Sequence, residues 1–323
     1  DEDIIVLDIY DYAMNKVLLS SSDHSLTLYD MGLNQILKMN PHNAAIYHVE
    51  VAGSSSNPVV LTSSADKSIR AFDLRSNNNN PIFRFNLTDE VYSFSTVKQE
   101  GLSLLAASCG NDLSFYDCRM ASNSNTGLIT KIKDVHTDEI TQVKFCPNAE
   151  HCTLLASGGE DGLVCIFDTS IADADDSMVS VLNIDCPIRK FGFFGDHSEG
   201  MYVTTNIETL SCWHHPTAQR LCSFDTIREE YSCDYIVDCW CNDSYSSTDG
   251  DKLSMLVGSF DGTGKIYNIL PNNLTLFAAL NVPTTHTTHT ASVCTGRGHG
   301  DMIRTVCNAG NGTILTGSED GQV

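Results

Sequence analysis

Apolar residues in this chain recur in short runs separated by polar turns, and none of the runs follows a helical period. The clearest instance lies between His136 and Asp168. Ile140, Val143 and Phe145 line one run, Pro147 and a polar loop end it, and Leu154–Ser157 and Leu163–Phe167 form two more. The last two are joined by a tight turn, Gly158-Gly159-Glu160-Asp161-Gly162. Three short strands with such turns predict one antiparallel sheet unit. Equivalent turns recur at Asp23, Asp66, Gly110–Asn111, Asp161, Ile207, Asp261 and Asp320, about fifty residues apart, which is the spacing of a repeat array. The expectation is an all-β chain of seven units: 1–40, 41–85, 86–133, 134–182, 183–224, 225–282 and 283–323. Shorter apolar runs at 36–39, 82–85, 179–182, 221–224 and 277–280 read as outer edge strands. Low-complexity connectors at 77–80, 122–125, 173–176, 244–251 and 284–290 read as solvated loops.

The fourth unit carries a histidine before its first strand (His136), Ser157-Gly158 and Asp161-Gly162 at the turn, and the pair Phe167-Asp168 closing the third strand. In these residues the chain resembles the WD-repeat family. The resemblance implies a β-propeller, in which four-stranded blades pack around a channel. It also implies a hydrogen-bond network of histidine, serine and turn aspartate: His136, Ser157 and Asp161 here, and His299, Thr316 and Asp320 in the last unit. The family's usual indole donor is replaced by Phe167, so that network is expected to be partial and structural. The third unit lacks the histidine, and the fifth is the most decayed, with Ile207 at the turn. The chain ends inside the third strand of the seventh unit, so the last blade is expected to be incomplete through truncation. The N-terminus has no initiator Met, again as in a fragment, and no basic flank of a signal peptide.

Composition narrows the partners. The formal charge of −22 argues against a phosphate backbone and for a basic protein segment, the alternative being that the acidity serves solubility only. No run of 18 apolar residues suggests a membrane span. Thirteen cysteines, without a Cys-x-x-Cys, read as core thiols in a reducing compartment, cytoplasm or nucleus. The expected state is a monomer within a complex, without cofactor or metal.

Two sets of residues are candidate contacts. The position after the first apolar residue of each first strand reads Tyr47, Tyr92, Thr141, Arg189, Val237 and Arg304. The family resemblance places it at the upper rim of the channel, and Tyr and Arg are the types that dominate binding hot spots. The alternative is that these residues fill the rim and bond to neighbouring loops. The second set is Arg75 and Arg119, in Phe72-Asp73-Leu74-Arg75 and Tyr116-Asp117-Cys118-Arg119. These are similar to the Trp-Asp-x-Arg box of WD-repeat receptors that dock on the adaptor of cullin-4 ubiquitin ligases. The alternative there is an ion pair with Asp73 or Asp117. The loop 258–265 has the wrong glycine spacing for phosphate binding and reads as a blade turn. The histidines 286, 289 and 299 match no strong zinc pattern, and no isolated acid–base pair marks the chain as an enzyme.

Overall fold

Alternating apolar runs and the tight turns between them fold as a series of antiparallel sheets, each paired in chain order. The structure is a computed structural model that describes residues 5–12, 16–54, 57–75, 80–97, 102–121, 127–171, 173–242, 252–280, 299–308 and 314–320. The first sheet comprises Val6–Tyr12, Lys16–Ser21, Leu26–Asp30 and Gln35–Met39. Five further four-stranded sheets follow, led by Ile46–Ser54, Phe94–Thr96, Ile140–Phe145, Ile188–Phe194 and Tyr235–Asn242. The last sheet has two strands, Ile303–Asn308 and Ile314–Ser318. Leading strands of successive sheets touch one another all the way round, and that of the last sheet touches that of the first. The sheets therefore form a closed ring, with the leading strands at the axis.

The core lies between sheets. Ala106, Leu113 and Phe115 of the third sheet meet Ile140, Val143, Phe145, Leu155 and Phe167 of the fourth in one buried cluster. The other face of the fourth sheet, with Ala156, Val164 and Ile166, packs on Ile188, Phe191 and Val203 of the fifth. Each sheet is thus apolar on both faces and has to be covered on both, which is why an isolated unit could not fold. Closure uses the same contacts: Val6, Ile9, Val17 and Leu19 pack on Cys307 and Leu315.

The expectation of seven blades is not met: among the described residues six blades are complete, and the last sheet stops at two strands. Residues 321–323, which the pattern places in its third strand, lie outside the described residues, as do the connectors 244–251 and 284–290. An outer strand at Leu128–Ile132 had no counterpart among the predicted runs. The connector at 173–176, read as a loop, contains one helical turn, Ala174–Ser177. A second short helix, Ile227–Tyr231, plugs the core beneath the fifth and sixth sheets with Ile227.

Candidate protein-interaction rim

The first-strand candidates share a backbone device. Pairing between the first and second strands skips one residue in six of the sheets: Leu7, Tyr47, Thr141, Arg189, Val237 and Arg304. A bulge of this kind leaves one residue out of the ladder and re-aims its side chain. The position picked out by alignment is therefore the bulge position. Tyr92 differs, because its strand, Phe94–Thr96, starts two residues later. Val237 is 2% exposed and belongs to the core. Leu7, the equivalent in the first sheet, was not singled out in the sequence and is 37% exposed.

The ring gathers these residues into two pockets. Tyr47, Tyr92 and Thr141 line one of about 260 Å³ together with Glu139 and Glu160. The two tyrosine rings lie 4.8 Å apart between centroids, tilted by 35°, and the Tyr47 hydroxyl donates to Glu90 Oε2 at 2.6 Å. That bond, then burial, holds the Tyr47 proton well above the usual phenol range. Burial and then the Glu139 charge raise the Tyr92 hydroxyl above its ordinary value. The hydroxyl of Thr141 is spent on the blade interface, donating to the carbonyls of Gly158 (3.1 Å) and Ile188 (2.9 Å). Arg189 and Arg304 line the second pocket, about 320 Å³, with Arg228, Asp234, Tyr235 and Phe260. Both arginines are braced: Arg189 pairs with Glu208 at 3.1 Å, and Arg304 with Glu319.

The histidine networks support this rim from beneath. His136 Nδ1 is 3.0 Å from Asp161 Oδ1, and Nε2 is 2.8 Å from Ser157 Oγ. A proton on Nδ1 satisfies both contacts, the ring donating to the carboxylate and accepting from the hydroxyl. Burial acts to raise the Asp161 carboxyl, but the bonds from His136 and the Thr137 N–H bring it below its ordinary value. Order and spacing mimic a nucleophilic triad, yet Ser157 is 0% and His136 2% exposed, so no substrate reaches the hydroxyl. In the last unit His299 Nε2 meets Thr316 Oγ1 at 2.7 Å, and Nδ1 lies 3.6 Å from Asp320. A further network among the described residues joins His42 to Asp66 (3.0 Å) and Thr62 (2.7 Å). His42 precedes the first strand of its unit, as His136 does in the fourth. Phe167 is buried without a donor, as expected, whereas the Trp213 indole donates within its own strand, to Ser211 Oγ at 2.8 Å.

Known proteins agree with this architecture. The family model described as "WD domain, G-beta repeat" matches residues 128–168 and 287–323. The chain carries WD repeats and folds as a propeller of repeated sheets. Among its relatives, the WD repeat-containing protein GTS1 of Arabidopsis thaliana is 29% identical over 95% of this chain and 76% of its own length. The WD repeat-containing protein 89 homolog of Dictyostelium discoideum is 25% identical over 100% of this chain and 82% of its own. The stretches 135–145, 161–168, 173–176, 234–237 and 315–322 carry the resemblance to WD repeat-containing protein 89. A chain in a crystal structure of the mitotic checkpoint complex superimposes with a TM-score of 0.69 at 13% identity, covering 99% of this chain and 86% of that one, a likeness of fold alone.

On the opposite face of the WD-repeat ring, Arg75 and Arg119 leave equivalent third strands. Each folds back on its own aspartate: Nε to Oδ1 at 2.9 Å and an Nη to Oδ2 at 2.7 Å, in both cases. The arginine bonds hold Asp117 down to about 2. These are the ion pairs that stood as the alternative in the sequence. The sequence did not point to Glu139, Glu160 or Glu90. Their one local signal is position, Glu139 immediately before a first strand, Glu160 immediately before a turn aspartate and Glu90 two residues before Tyr92, and that becomes a site only when neighbouring blades align.

Proposed function

We propose that this WD-repeat propeller is a non-enzymatic scaffold whose bulged rim binds a basic segment of a protein partner. The observation that carries the reading is the Tyr47–Tyr92 pocket. It places two aromatic rings beside Glu139 and Glu160, on a chain with a net charge of −22. Rim residues come from different blades whose relative positions are set by core packing, so binding orders the partner but not the scaffold. The two-stranded sheet is, in this reading, part of a seventh blade. The chain acts as a monomer within a complex, in the cytoplasm or nucleus, where cysteines stay reduced.

The test is affinity purification of the full chain with mass spectrometry, beside a variant carrying Tyr47→Ala, Tyr92→Ala and Arg304→Ala. The variant is expected to lose the recovered partners at an unchanged melting temperature. Undiminished recovery overturns the reading. A second reading, docking on the adaptor of a cullin-4 ubiquitin ligase, draws on the repeated exposure of Arg75 and Arg119, at 49% and 71% of the side chain. Their pairing with Asp73 and Asp117 competes with it. Charge reversal of both arginines that leaves adaptor recovery intact removes this second reading.

A further inference from the structure

Three features of the first pocket bear on what it holds. First, its two tyrosine rings belong to neighbouring blades and lie partly over each other, 4.8 Å apart between centroids and tilted by 35°, so that the outer face of the pair is a shelf that a flat group can cover. Second, the acidic groups around the shelf outnumber their partners. Glu90 accepts from Tyr47, and among the described residues no ion pair engages Glu90, Glu139 or Glu160. Third, Thr141 has its hydroxyl turned to two backbone carbonyls, so it adds no donor to the pocket. The site offers acceptors and ring faces and nothing that would hold an anion.

We propose that this pocket takes an arginine side chain of the partner segment, the guanidinium stacking on the Tyr47–Tyr92 shelf and donating to Glu139 and Glu160. Charge and shape select this occupant. A tyrosine face attracts a cation through its quadrupole. A planar guanidinium covers a ring while its edge donors reach carboxylates on two sides, which the compact ammonium of lysine does less well. The bond to Glu90 raises the Tyr47 hydroxyl and burial raises that of Tyr92, and the charges of Glu90 and Glu139 act in the same direction on both. The inference rests on the rim reading above and narrows it to one side chain at one pocket.

The probes are blocked pentapeptides, a central arginine, lysine or citrulline flanked by glycines, titrated into the full chain and followed by NMR of labelled tyrosines. The arginine peptide is expected to shift Tyr47 and Tyr92 and to bind at least about fivefold more tightly than the citrulline peptide, with lysine between them. Tyr92→Leu should weaken the arginine peptide about threefold, and Glu139→Gln by a similar factor, while Tyr92→Phe stays within about twofold. Added salt should weaken binding. Equal affinity for citrulline, equal affinity for lysine, or no shift at either tyrosine overturns the proposal. If Tyr92→Leu abolishes partner recovery while the peptides show no arginine preference, the scaffold reading stands and only this inference falls.

Discussion

A buried imidazole with a partner on each nitrogen stabilises its turn only while both bonds persist. Replacing His136 by Ala leaves the buried Ser157 hydroxyl without its imidazole partner and takes one bond from the Asp161 carboxylate. The expected loss is about 2–4 kcal/mol, read as a lower urea midpoint. His42 adds a pH dependence. Burial holds its pKa below the ordinary value of 6.5, so below that pH the unfolded chain takes up a proton that the folded ring resists. The ring's contribution is therefore complete above about pH 6.5 and declines as the pH falls through that value. Asp66, whose carboxyl is held down by bonds from Ser68 and His42 against the effect of burial, keeps its share until the pH drops below the ordinary carboxylate range. Unfolding midpoints between about pH 7 and pH 5 should fall, and less steeply in His42→Gln, which cannot take up the proton.

At the scale of the strand, bulges do two jobs. On the inner strand they turn Tyr47, Arg189 and Arg304 toward the rim. On the outer strand a second shift recurs, skipping Ile36, Ile129, Val179, Leu221 and Phe277 in five sheets. All five are exposed. A kinked edge pairs poorly with a second edge, a protection that exposed outer strands need. Phe277→Lys and Ile129→Lys should therefore change stability by no more than about 0.5 kcal/mol. Gly258, at the end of the second strand of the sixth sheet, is the contrast: a Cβ there would sit 2.5 Å from the Tyr235 ring. Gly258→Ala should cost about 1–3 kcal/mol in the same urea titration. Strand positions and the tight turns were legible in residues 140–167, because alternation and glycine turns are local. The bulges were not, since pairing register depends on the partner strand.

For the molecule as a whole, the contact between the last sheet and the first closes the ring. Thr305 donates to Asp8 across it, above the apolar contact of Val6 and Val17 with Leu315. Thr305→Val should cost about 1 kcal/mol and speed amide hydrogen exchange along Ile303–Asn308 and Val6–Tyr12 more than at Ile140–Phe145, which distinguishes local opening from global loss. By itself the amino-acid sequence determined the all-β class, the repeat, the turn aspartates and the buried histidines. Each of these follows from side-chain types within a few neighbouring positions. Tertiary structure alone decided that six blades are complete among the described residues, that Tyr47 and Tyr92 share a pocket with Glu139 and Glu160, and that Arg75 and Arg119 turn back on their own aspartates. The physical reason is range: a strand records its own periodicity, whereas a pocket between blades exists only once apolar faces from distant segments have closed on each other.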